Sequence, residues 1–183
     1  MPTEFRTVDQ LLSFLVDLGE RPSSSERLSE LDHGLQCAWE LAVRHPVDEE
    51  LALAGLVHDC GHALRPGDEV RHGAHAAQAV EGLLGERVAA LVALHVPAKR
   101  YLVTVDPHYV ERLSAASNRA LVRQGGAMST AELAEFEQHE HRVAAVALRR
   151  VDDAAKTPGR DVPGLEFWRA VLERLARRCA LSR

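Results

Sequence analysis

Residues 51–64 read LALAGLVHDCGHAL. The run has the small and aliphatic composition of a helix buried on every side, yet His58, Asp59 and His62 stand near its middle. Burying such groups costs roughly 2–7 kcal/mol each unless something satisfies them. A fold that accepts this segment must therefore bring compensating groups to it from elsewhere in the chain. Residues four apart on a helix share a face, and Asp59 is turned by about 100° from His58, within reach of an ion held there. The pattern departs from the HExxH of zinc proteases, in which the glutamate after the first histidine is the general base. Here an aspartate stands in that place, one methylene shorter, and Gly61 weakens the helix before His62. An aspartate beside a histidine ligand suits a different task, since its two oxygens can bridge two metal ions.

The donors for such a pair lie in other segments. His33 stands in SELDHGLQCA, His72 opens HGAHAAQAV, and His95 closes ALVALHV two residues before Pro97. Asp152 follows Leu148 by four residues, at the edge of a periodic apolar stripe. Four imidazoles and two carboxylates from separate helices build a dinuclear site in a bundle core. A set without thiolate suits iron, manganese or zinc. Cys60 is expected to face away from these groups as a small hydrophobe. His45, His108, His139 and His141 sit among polar residues or at helix ends and read as structural or solvated, and His75 reads as a surface residue or a support behind a ligand.

The remainder of the chain is helical in pattern. Expected helices cover 7–20, 24–45, a segment capped by Asp48 that contains 51–64, two short helices separated by Gly85 and ended at Pro97, 107–124, 140–156, and a final helix within 163–182. In 24–45 the apolar positions are Leu28, Leu31, Leu35, Ala38 and Ala42, and in 140–156 they are Val143, Ala147 and Val151. No alternating run argues for a strand. The expected fold class is all-α, a compact bundle of about eight helices in one domain over 1–183. Hydrophobic residues at 46% and charged residues at 27% are ordinary for a globular chain. A net charge of −5 gives no footprint for nucleic acid. No run of about 18 uncharged apolar residues argues for a membrane span. The start MPTEFRTVDQ lacks the apolar core of a signal peptide, and three cysteines without a CxxC argue for reduced thiols, so a cytoplasmic location is expected.

The segments HDCGH, HVPAKRYL, LSAASNRALVRQGGAMS and LRRVDDAAK, with the order His33, His58-Asp59, Asp152, resemble the HD-domain superfamily. Within it they look most like the mixed-valent di-iron oxygenases of the PhnZ and TmpB type, which cleave phosphonate C–P bonds. The resemblance runs from about 23 to 156, the expected metal-binding core. It implies that His33, His58, Asp59 and Asp152 hold one iron and that Asp59 bridges to a second held by His72 and His95. His72 is preferred to His75 because Ala76 and Ala77 follow it as the family's small pair does. The implied cofactors are two iron ions, Fe(II)/Fe(III), with O2 as co-substrate. His62 and Lys99 match the family's phosphonate-contacting groups, Ser117 and Arg149 match further groups on the substrate oxygens, and Glu26 is placed to pair with a substrate ammonium. One position departs: Ser23 stands where the family carries a gating tyrosine. The implied reaction is O2-dependent oxidation of a 1-hydroxyalkylphosphonate to phosphate and a carboxylic acid. The alternative is hydrolysis of a phosphate ester or nucleotide by the same ligand set. The implied partner is a small organophosphonate, with no nucleic acid and no membrane.

Overall fold

A computed structural model describes residues 4–20 and 28–181. The first three helices begin where the sequence supplies a cap. Thr7 accepts from the backbone of Gln10 at the start of α1 (Val8–Gly19), Ser29 from Asp32 at α2 (Glu30–Arg44), and Asp48 from Leu51 at α3 (Glu49–Val57). A single turn, α4 (Gly61–Leu64), leads to α5 (His72–Leu84) and, after Gly85 at φ 88°, to α6 (Glu86–Val105). Then follow α7 (Tyr109–Arg112), α8 (Ala115–Arg123), α9 (Thr130–Gln138), α10 (Arg142–Ala154) and α11 (Leu165–Leu181). Among the described residues there is no strand.

The all-α expectation holds, and the eleven helices among the described residues, two of them four residues long, are roughly consistent with about eight. Three differences have physical causes. The expected helix through 51–64 is interrupted by a turn over 58–60, so His58 and His62 do not lie on one continuous helix face. Segment 107–124 splits because Leu113 is extended and Ser114 caps α8 by accepting from the backbone of Ser117. A further helix forms at 130–138, outside the expected ones, where Ser129 and Glu132 make a reciprocal capping box. Conversely, Pro97 does not end its helix. Proline removes one intrahelical bond, but α6 packs against α3, α5 and α10, which hold it on course.

Five helices make the centre: α2 packs on α3, α5 on α6, α6 on α10, and α3 and α10 touch both pairs. α1 and α11 close one end around Phe5, Leu11, Leu15, Trp168, Leu172 and Leu175, all essentially inaccessible. The buried side of α10 is Ala145, Leu148 and Val151; Val143 is 72% exposed, so the stripe is rotated from the expected one. In α2 the fully buried positions are Cys37, Ala38 and Leu41. By length and composition α6 could cross a membrane, but half of its most apolar stretch is buried in the bundle and its packing is that of a core helix.

Helix approach near the centre depends on missing side chains. A Cβ on Gly61 would lie 1.8 Å from the backbone oxygen of His72, so α4 and α5 meet only because that atom is absent. A Cβ on Gly73 would lie 3.0 Å from the His95 ring. Gly61→Ala is expected to destabilise the fold by about 1–3 kcal/mol, the usual range for overpacking, and to displace His72. Chemical denaturation together with metal titration checks both effects; unchanged values for both would contradict the contact.

Candidate metal centre

Six donors that lie far apart in the sequence converge at the centre of the bundle. His33 comes from α2, His58 and Asp59 from the turn after α3, His72 from the first position of α5, His95 from the middle of α6, and Asp152 from the last turns of α10. They form two groups that share Asp59: His33, His58, Asp59 and Asp152 in one, Asp59, His72 and His95 in the other. The two oxygens of Asp59 divide between them. Oδ2 lies 3.3 Å from His58 Nε2 and 3.8 Å from His33 Nε2. Oδ1 lies 3.4 Å from His72 Nε2 and 3.7 Å from His95 Nε2.

Backbone carbonyls fix the tautomers. The Nδ1–H of His33 donates to Ala155, that of His58 to Gly55, that of His72 to Glu69 and that of His95 to Val92, at 3.0, 2.9, 2.7 and 2.6 Å. Each Nε2 is then left with a lone pair aimed at the centre, the arrangement by which proteins orient imidazole ligands. Two consequences mark a cation site. The Nε2 atoms of His72 and His95 face one another at 2.8 Å, two acceptors with no proton between them. His58 Nε2 is fully buried without a hydrogen-bond partner. Metal–nitrogen bonds of about 2.1 Å would satisfy both, and 2.8 Å suits donors at neighbouring corners around one ion. The residues therefore fit a metal pair.

The local electrostatics ask for positive charge. Burial works against ionisation of Asp59 and Asp152, yet the His58 imidazole beside Asp59, and Arg149 followed by His58 beside Asp152, hold both carboxyls well below the usual range. Burial pushes His58 down, but Asp59 and Asp152 raise it well above the ordinary imidazole value. His95 lies well below that value through burial beside His72 and His58.

Several supporting groups were not singled out from the sequence. Buried Gln36 clasps Thr157 twice, Nε2 donating to its carbonyl at 2.8 Å and Oε1 accepting its N–H at 3.1 Å. This ties the end of α10 to α2 and fixes the Ala155 carbonyl behind His33. Cys37 Sγ stands 3.8 Å from both His33 ring nitrogens. Asp153 receives Tyr109 and Arg149. Glu69 serves twice, its carbonyl accepting from His72 and, at 3.5 Å, from Gln124 Nε2, while its carboxylate pairs with Arg123 of α8. A buried glutamine one turn from a ligand is a readable signal. A backbone carbonyl has no side-chain signature, which is why Glu69 escapes a sequence reading.

A cavity of about 660 Å³ opens onto the donors and is also lined by His62, Lys99, Ser117 and Arg149. His62 stacks on His72 with ring centres 4.0 Å apart, and its Nε2 is 3.9 Å from Asp59 Oδ1. Lys99 is 3% exposed and makes no direct hydrogen bond or ion pair among the described residues. Burial, with Arg149 nearby, lowers its ammonium to about 8. Arg149 is not a free cation: Nη1 donates to Asp152 at 2.5 Å and Nε to Asp153 at 3.0 Å. Glu26 and Ser23 lie outside the described residues. His75 pairs with Asp68 at 2.9 Å, away from the donors, and His108 with Glu111. Cys60 is buried in the apolar core, where desolvation raises its thiol.

Because protons and metal compete for His58, metal binding is expected to release protons and to weaken as pH falls from 8 to 6. Calorimetric titration with a divalent metal in two buffers of different ionisation enthalpy measures the release. Affinity that rises on acidification would contradict the assignment.

No family model matches the chain. It is 37% identical to a hydroxymethylphosphonate dioxygenase of Gimesia maris over 175 residues, covering 91% of this chain and 86% of that protein. It is 31% identical to the glycine-betaine-forming 1-hydroxy-2-(trimethylamino)ethyl phosphonate dioxygenase of Leisingera caerulea, covering 86% and 85%. It is also 28% identical to an uncharacterized protein of Acanthamoeba polyphaga mimivirus. With its two joined His/Asp groups inside an all-helical bundle, this chain belongs to the PhnZ-type family of HD-domain oxygenases.

Proposed function

We propose that the chain cleaves the C–P bond of a 1-hydroxyalkylphosphonate, using two iron ions held by the joined donor groups. The overall change is RCH(OH)PO3²⁻ + O2 → RCOO⁻ + HPO4²⁻ + H⁺, in which the substrate carbon is oxidised and one dioxygen is consumed. One observation carries the reading: a buried, directly unpartnered ammonium, Lys99, lines the same cavity as two groups of metal donors. Both relatives of 30% identity or more are named phosphonate dioxygenases, which supports it further.

His33, His58, Asp59 and Asp152 would hold one iron, and His72, His95 and the other oxygen of Asp59 the second. When bound, a mixed-valent iron pair supplies the redox chemistry toward dioxygen. The remaining tasks belong to the protein. Lys99 binds a phosphonate oxygen by a charge-assisted hydrogen bond. His62, held in place by its stack on His72, offers a ring nitrogen to another oxygen. The Ser117 hydroxyl completes the set, and Arg149 keeps Asp152 oriented while turning its remaining N–H groups toward the cavity. Anchoring the phosphonate fixes the hydroxyl-bearing carbon beside the metal donors, which is the entropic share of catalysis. Hydrolysis of a phosphate ester would use the same donors, but no observation favours it.

Iron-loaded protein given hydroxymethylphosphonate or 1-hydroxyethylphosphonate is expected to consume dioxygen and release phosphate in a one-to-one ratio. Phosphate release from phosphate esters without oxygen, and none from phosphonates, would overturn the proposal.

Lys99 provides a second test. Its ammonium is charged below about 8 and loses its proton above that value, so substrate affinity is expected to fall as pH rises from 7 to 9. Lys99→Met should weaken substrate binding roughly 10- to 150-fold, the worth of a hydrogen bond to a charged group. The ligand-free variant should be as stable as the parent or more so, because an unpaired buried charge is gone. Parent-like affinity in that variant would remove Lys99 from the site.

A further inference from the structure

Apart from the metal donors and His62, the charged groups on the cavity wall are uneven. Lys99, Arg119, Arg123, Arg149 and Lys156 stand against Glu30 and Glu69. Glu69 is neutralised by Arg123, and Arg149 is engaged by Asp152 and Asp153. Lys99 is assigned above to the phosphonate. Glu30 and Lys156 each already have an interaction partner, which leaves Arg119, exposed on α8, lining the same cavity and making no hydrogen bond or ion pair among the described residues. Its other neighbours on the lining of α8 are small, Ala116, Ser117 and Ala120, or, like Arg123, already paired, so the Arg119 guanidinium is the charge that α8 leaves open to the cavity.

The described wall also lacks an aromatic face for a cationic tail. No Phe, Tyr or Trp ring lines the cavity among the described residues. Quaternary ammonium groups are held by aromatic faces.

We propose that the substrate of this chain is a 1-hydroxyalkylphosphonate whose carbon chain ends in a carboxylate, and that Arg119 is the specificity-determining residue that receives it. The inference rests on the phosphonate reading of the site and adds the class of the tail. The tail takes no part in the bond changes: one dioxygen is consumed, and the products are phosphate and a dicarboxylate.

The test compares three probes that differ at the tail: 2-carboxy-1-hydroxyethylphosphonate, 1-hydroxypropylphosphonate and 2-amino-1-hydroxyethylphosphonate. Affinity is measured by calorimetry on the metal-loaded protein without oxygen, and oxygen uptake is then recorded on the same preparations. The carboxylate probe is expected to bind about fivefold more tightly than the propyl probe, the size of one charge pair at a solvent-reached edge, and the amine probe most weakly. Arg119→Gln should bring the carboxylate-to-propyl ratio close to one, and Arg119→Glu should place the amine probe first. Arg142→Gln, outside this cavity, should leave the ratio as in the parent. Equal or tighter binding of the propyl or amine probe by the parent, or a ratio that survives Arg119→Gln, would overturn the inference. Absence of oxygen uptake with every probe, with the carboxylate still preferred, would instead defeat the oxygenase reading and leave the tail assignment standing. Oxygen uptake with the amine preferred would do the reverse.

Discussion

Four hydrogen bonds from imidazole to backbone carbonyl hold the centre of this protein together as a chemical object. Because His33, His58, His72 and His95 each spend Nδ1–H on a carbonyl, the other nitrogen of each neutral ring can only accept. Four lone pairs and two ionised carboxylates then meet in a space from which water is largely removed. Such an arrangement is unfavourable by itself, and its cost is borne by the surrounding helices until positive charge arrives. The apolar packing of α2, α3, α5, α6 and α10 therefore stabilises the fold and also holds the donors in an electrostatic conflict that a metal pair resolves.

The same constraint explains why the fold tolerates local irregularities. The turn at 58–60 breaks what the hydrophobic pattern suggests is one helix, and this break lets Asp59 direct one oxygen to each group. Pro97 sits inside α6 two residues after His95, where packing on three sides outweighs the lost bond. Gly61 is less a weak point than a contact: it lets the backbone of α4 approach His72.

Much of the site was legible in the sequence because metal ligands are side chains with few alternatives. A buried histidine beside an aspartate has to be explained, His95 stands in an apolar run, and His33, His72 and Asp152 are picked out by the order of the family resemblance. The all-helical class was equally readable from periodicity. Boundaries were less so: propensity alone cannot tell that tertiary contacts carry α6 past a proline, or that Ser114 starts a new helix. The rotation of the α10 stripe has the same origin, since Val143 looks like a core residue until its neighbours are known to lie elsewhere. Arg149 illustrates a subtler limit. Its spacing to Asp152 was visible, but not that Asp153 would engage the same guanidinium.

Glu69 ties two functions to a single residue. Its peptide oxygen steadies one imidazole of the centre, while its side chain reaches across to the helix that walls the cavity. A shift of α8 as the cavity fills would pass through this short linkage to the group of His72 and His95 before the group that Asp152 completes. If two ions are held here, occupancy of the cavity and the field at one of them would be mechanically joined, adding to the difference between a group of four donors and a group of three.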